Sequence, residues 1–157
     1  MNISTQFIIF NVDENLYAIP LLAVEKVIHS VEVSPVSKAP DIMLGLINFH
    51  GNIIPLLDVR KRFKLPERKV DIQDQFIIVR TLKRTVALFV DSVQNVFDYR
   101  GNDISPENNV PDIEHIDGTL KLENGIALIQ NLDKFLYPDE ENMLDDIDKI
   151  KESLIKK

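Results

Sequence analysis

The side chains with chemical potential in this chain are three histidines, scattered carboxylates and one dense run of bases. Their spacing argues against most reactions they could perform. His29, His50 and His115 stand apart, with no H-x-H or HExxH pattern, so a metal centre would have to gather ligands from distant segments. No G-x-S-x-G, GxxxxGK[ST] or GxGxxG occurs, which leaves nucleophile-elbow and phosphate-loop chemistry without support. Cysteine is absent, excluding thiol catalysis and disulfides. Asp13, Asp58 and Asp91 fall at expected turns or strand ends, where capping explains a carboxylate. Asp145, Asp146 and Asp148 belong to an expected helix, not to a glycine-kinked calcium loop. No catalytic residue, metal or cofactor is therefore expected. The bases Arg60, Lys61, Arg62, Lys64, Arg68 and Lys69 concentrate positive charge in a chain whose 18 basic and 25 acidic residues give a net charge of −7. They are expected to face outward, as a solvated surface or as a seat for an acidic partner. Nucleic acid is disfavoured, because no stacking aromatics interleave with them and the chain as a whole is acidic.

The elements that carry these groups centre on residues 45–63, GLINFHGNIIPLLDVRKRF. Two short apolar runs flank His50-Gly51-Asn52, where glycine permits positive φ and asparagine favours a turn, so a β-hairpin is expected. Pro55 cannot donate to a ladder, which predicts an edge strand or a bulge. Asp58 stands where an N-cap would, followed by a short helix with Val59 and Phe63 on one face.

The two halves of the chain echo one another. Phe7-Ile8-Ile9-Phe10 recurs as Phe76-Ile77-Ile78-Val79, and at the same spacing Ala18-Ile19 matches Ala87-Leu88, and Val24 with Val27 matches Val93 with Val96. Residues 53–59 resemble 126–132, with Asp58 matching Asn131. Each half reads as a first hairpin, a third extended segment, and a second hairpin closing in a short helix. The first hairpins turn through Asp13-Glu14-Asn15 and Lys83-Arg84-Thr85, and the last through Glu123-Asn124-Gly125. Residues 24–36 carry valines at 24, 27, 31, 33 and 36, favouring a strand after a short helical turn. Such dense short strands argue for small barrels. Residues 64–74 form a polar connection, and 100–117 the longest loop. After Tyr137, proline and acids open a C-terminal helix over 138–157, with lysines toward its end and an apolar stripe of Met143, Ile147, Ile150 and Leu154. With 157 residues and 45% apolar content, the chain can bury a substantial core without staples. No apolar run approaches the roughly 20 residues that span a bilayer, and residues 1–5 lack a basic signal region, so a soluble, cytoplasmic protein is expected.

The stretch 45–63 closely resembles the signature hairpin of CheW-type chemotaxis coupling proteins, through Gly45, Asn48, Gly51, Pro55, Asp58 and Arg60. Phe7, Ile19-Pro20 with Val24 and Val27, Ala39-Pro40, Val90-Asp91-Ser92-Val93 with Val96, and 132–136 extend the match over about residues 6–137. The resemblance implies an all-β fold of two SH3-like five-stranded barrel subdomains, about 6–70 and 75–137, with short helices, followed by the C-terminal helix of 138–157. It implies a non-enzymatic adaptor that couples the cytoplasmic tip of chemoreceptors to the regulatory domain of the histidine kinase CheA at membrane-associated arrays, without direct membrane insertion. Val24, Lys26, Val27, Ile28, Gly45, Asn48, His50 and Gly51 are the expected partner-binding set, and Pro55, Asp58 and Arg60 the structural motif. Two positions depart from the family pattern: His50 replaces an arginine, and Lys26 stands where a glutamate is common. Both change charge on the expected contact surface and suggest a divergent receptor or kinase, or an auxiliary pathway. The alternative is a free-standing regulatory module that binds a small ligand or a response-regulator partner in a polar cavity between the barrels.

Overall fold

Alternation along the first strand feeds two cores at once. The computed structural model describes residues 6–98, 104–106 and 115–155. In β1 (Gln6–Val12), Phe7 and Ile9 pack with Ala18, Leu120, Ala127 and Ile129, while Ile8, Phe10 and Val12 point the other way. That second face meets Ile77, Val79, Leu88 and Val90 of β6 (Gln75–Arg80) and β7 (Thr85–Val90). The reverse faces of those strands, Phe76, Ile78, Ala87 and Phe89, enclose a third cluster with Ile47, Ile54 and Leu56. Strands buried on both faces must read as unbroken apolar runs, which is why the repeat shows near-continuous aliphatics instead of simple alternation.

Two sheets result. One is six-stranded, in the order β8-β1-β2-β11-β10-β9, and the other is five-stranded, in the order β3-β6-β7-β5-β4. Here β2 is Asn15–Pro20, β3 Val24–His29, β4 Met43–Phe49, β5 Asn52–Asp58, β8 Ser92–Asp98, β9 Ile104–Pro106, β10 Ile116–Leu122 and β11 Gly125–Gln130. The fold is all-β and SH3-like, with α1 (Val59–Phe63) and α2 (Pro138–Ile155) appended. Each sheet wraps its own small core, and the largest cluster lies between them.

The internal repeat extends to its irregularities. A register shift at Val24/Lys26 in β3 has its counterpart where β8 crosses Ile9/Phe10 of β1. The shift at Met43/Gly45 in β4 recurs at Ile116/Gly118 in β10. Yet the sequence halves are not the sheets. The third strand of each half crosses over, β3 pairing with β6 and β8 with β1, and β5 and β11 run parallel to β7 and β2. The barrels expected over 6–70 and 75–137 are thus interleaved, each sheet drawing strands from both halves.

Several local expectations need correction. Pro55 lies in an interior strand, β5, paired with Leu46. Leu46 sends both its N–H and its carbonyl to Ser34, at 2.8 Å each, so the Leu46–Pro55 pair exchanges no bonds and the missing proline donor points away from β4. Pairing with β7 begins only at Leu56, so no ladder bond is lost there. The bulge sits on β4 instead. The strand expected over 24–36 ends at His29, because Ser30 is drawn aside: its N–H donates to the Asp74 carbonyl at 3.0 Å and its hydroxyl to the Asp71 carbonyl at 2.9 Å. The short helical turn expected before it is a 3-10 turn over Leu21–Ala23. A helix over 132–136 does not form. Asn131 caps a pair of turns there, its Oδ1 accepting from the N–H of Asp133 (3.0 Å) and of Lys134 (3.2 Å). Most of the loop read over 100–117 lies outside the described residues, as do the side chain of Leu154 and residues 156–157. On α2 the buried residues are Leu144 and Ile147, whereas Ile150 is exposed. Among the described residues no helix is long and apolar enough to cross a membrane.

Candidate functional site

The short helix α1 is the hub from which the candidate surface is built. Asp58 caps it, accepting from the Arg60 N–H at 3.0 Å, and burial pushes the Asp58 carboxyl above its ordinary value against that bond and nearby cations. Lys64 closes it in the left-handed region. The arginines do not face outward. Arg60 is fully buried, its guanidinium on Asp91 and Asp13 and 4.8 Å from the centre of the Phe89 ring. Arg62 pairs with Glu140 of α2 and lies 3.8 Å from the Tyr137 ring centre. Arg68, in the linker, bridges Asp74 and Asp91. Three of the six bases of the expected patch, Arg60, Arg62 and Arg68, are thus spent on ion pairs that join sheets, linker and helix, whereas Lys64 and Lys69 stay exposed. Burial alone would raise the Asp91 carboxyl, but hydrogen bonds from Arg60, the Asp13 backbone and Arg68 hold it below its ordinary value.

On its other side α1 sends Phe63 into an aromatic group, stacked on Tyr17 at 3.9 Å and edge-on to Phe135. Burial and the neighbouring Asp13 push the Tyr17 phenol up to about 12. His115 closes this group, buried, with Nδ1 3.0 Å from Gln130 Oε1. Burial holds its imidazole below the ordinary histidine value, against the pull of Gln130 and with help from Arg62. A folded-state value below the unfolded one means the unfolded chain binds its proton first as pH falls. The His115 contribution is therefore complete above about pH 6.5 and lost below it. Urea midpoints of His115→Phe are expected to decline less than those of the parent between pH 7.5 and 5.5. That window lies above the one in which Asp91 is protonated.

The expected partner-binding residues occupy three environments. In β3, Val24 and Val27 are half-buried against the inter-sheet cluster and Ile28 against the cluster within the five-stranded sheet, while Lys26 is exposed. Gly45 is buried and touches Ser34, which makes it an architectural residue. Asn48, His50 and Gly51 are exposed together on the β4–β5 turn. Phe49 pairs with Asn52, so His50 (φ 52°) and Gly51 (φ 85°) are the two central residues of a tight turn that needs positive φ at both. Asn48 Oδ1 accepts the Gly51 N–H at 2.9 Å and fixes the turn, and His50 packs edge-on to Phe49. Pro55, Asp58 and Arg60 are all buried.

An open groove of about 1140 Å³ runs between the segment after β3 and the linker, walled by Val31, Val33, Leu44, Val70 and Ile72 and edged by charged residues such as Lys61. Ile72 is 85% exposed there. The linker half of this groove went unread in the sequence, where Val70 and Ile72, two apart in a polar stretch, were its only signal. Among the described residues no group of three or more His, Asp or Glu could hold a metal ion.

The CheW-like domain family matches residues 6–140 of this chain. The chemotaxis protein CheW of Helicobacter pylori is 29% identical over 101 residues, 64% of this chain and 61% of that protein. The chemotaxis protein CheW of Rhizobium meliloti is 26% identical over 87% of this chain and 89% of its own length. The crystal structure of the scaffolding protein TtCheW from Thermoanaerobacter tengcongensis superposes with a TM-score of 0.79 at 27% identity, covering 88% of this chain and 96% of that one.

Proposed function

The chain belongs to the CheW-like domain family, as a chemotaxis signalling adaptor, and from that premise we propose that it couples the cytoplasmic tip of a chemoreceptor to the regulatory domain of the histidine kinase CheA without catalysing a reaction. The observation that carries this reading is the shape of the exposed surface: an apolar groove with a charged edge, which includes Leu44 and Asp58 from the open end of the β4–β5 hairpin, and at the other end of that hairpin a tight turn that presents Asn48, His50 and Gly51. Apolar walls with a polar rim suit a helical partner. The groove is open and mostly apolar, which favours a macromolecule over the small ligand of the alternative reading. Lys26 and His50 supply the contacts that set partner choice, His50 offering a ring donor in place of a permanent guanidinium charge. Residence at receptor arrays in the cytoplasm follows from these partners.

The test is titration of the full chain with a purified CheA regulatory domain and with a soluble chemoreceptor cytoplasmic fragment. Micromolar or tighter association with both is expected, and His50→Ala should weaken one of them by about threefold to tenfold, the scale of one hydrogen bond. Absence of binding to either would sink the proposal.

A further inference from the structure

The C-terminal helix lies beside the proposed docking turn, and its grip changes along its length. At its start it is anchored: Glu140 takes Arg62 and also accepts the Tyr137 N–H at 2.8 Å. Its middle is latched to a single buried arginine of the β6–β7 turn. Arg84 pairs with Glu141 at 2.7 Å, with Asp145, and with Asp148 at 3.2 Å, successive carboxylates on one helical face. Leu144 and Ile147 are buried under the same stretch. Directly after Asp148, Lys149 and Ile150 are both exposed. At this point Asp148 and Arg84 line a depression of about 360 Å³ with Glu25, Phe49, Asn52 and Ile53. Phe49 and Asn52 bracket His50 and Gly51, and Glu25 adjoins Lys26. The latched helix thus flanks the surface assigned above to partners.

We propose that α2 is a releasable cover on the flank of the β4–β5 turn, pivoting at its anchored start and latched by Arg84, and that a helical partner docking on the turn competes with it. The inference rests on the adaptor reading for the partner's identity, but not for the cover itself. The latch is built to yield. The Asp145 and Asp148 side chains are 50% and 39% exposed, so their pairing with Arg84 is open to salt screening and to rival cations. The covered flank is regained whenever the partner leaves, because the tether keeps the effective concentration of α2 high.

The experiment compares the full-length parent with Asp145→Asn/Asp148→Asn, changes to partly exposed side chains of the helix that leave both sheets untouched. Amide hydrogen exchange is expected to quicken about fivefold or more in α2 from residue 144 onward and in residues 48–53. Affinity for a chemoreceptor cytoplasmic fragment should tighten at least threefold. Arg84→Gln, which undoes the latch from the other side, must give the same pattern. Faster exchange in α2 with unchanged exchange at 48–53 and unchanged affinity overturns the proposal, as does unchanged exchange in α2. If neither chain binds the fragment while 48–53 still exchanges faster in the variant, the partner assignment fails and the cover stands.

Discussion

Arg60→Ala is expected to destabilise the protein by about 3–5 kcal/mol, the scale of breaking a buried ion pair from one side. For a domain of this size that lowers Tm by on the order of 10 °C. The physical reason is the position of the guanidinium. It is fully buried, holds Asp91 at the corner where the chain passes from β7 of one sheet to β8 of the other, reaches Asp13 in the β1–β2 turn, and packs on Phe89. Truncation leaves a void beside Phe89 and strips Asp91 of one of its two arginines. The pairing is also imperfect, since Nε and Nη1 of Arg60 are buried without a hydrogen-bond partner. A side chain that fills the space without charge should therefore recover much of the loss, and Arg60→Met is expected to cost less than half as much as Arg60→Ala. Urea unfolding of the two variants checks both statements. A loss below about 1 kcal/mol for Arg60→Ala would show that Arg68 alone holds the corner.

Arg60 also marks where the sequence stops being informative. The residues around it predict a capped turn of helix, and that is found. A base in such a helix reads as solvated, because its partners Asp13 and Asp91 are 47 and 31 residues away and nothing local indicates them. Strand existence was legible for the opposite reason. Burial on both faces writes itself into consecutive aliphatics at Phe7–Phe10 and Phe76–Val79, and repetition of those runs announces two similar units. Which strand pairs with which is not written there. β3 leaves its own half to join β6, a choice made by long-range packing with no local sequence signature. On α2, Ile150 continued an apolar stripe by spacing yet stays exposed, since Arg84 turns an acidic face of the helix inward. The candidate surface was partly legible. Asn48, His50 and Gly51 are exposed on the turn that glycine and asparagine announce, whereas Val24 and Val27 of β3 are half-buried against the inter-sheet cluster and Gly45 is buried, which spacing within one strand does not reveal.

Gly45 and Gly51 belong to the same hairpin and share positive φ, but substitution at the two should have different consequences. A Cβ on Gly51 (φ 85°) meets nothing within 4 Å, so Gly51→Ala suffers only from its backbone conformation, about 1–2 kcal/mol. A Cβ on Gly45 would lie 2.4 Å from the Ser34 carbonyl oxygen and 2.8 Å from Val33 Cγ1. Backbone cannot rotate out of the way as a flexible side chain can, so the segment carrying Val33 and Ser34 must withdraw. That segment is tied to β4 by the two 2.8 Å bonds between Ser34 and Leu46, which link the chain leaving one edge strand of the five-stranded sheet to the other edge. Gly45→Ala should therefore cost about 3–4 kcal/mol, combining backbone strain with loss of one or both bonds. It should also disturb the apolar groove, of which Val33 and Leu44 are walls. Hydrogen exchange at the Ser34 and Leu46 amides separates the two mechanisms: both should lose protection in Gly45→Ala and keep it in Gly51→Ala. Partner binding should follow the same division, weakened through the groove by the first change and through the turn by the second. If Gly45→Ala leaves Ser34 and Leu46 protected, the bridge is more compliant than its close approach implies, and the glycine is required by φ alone.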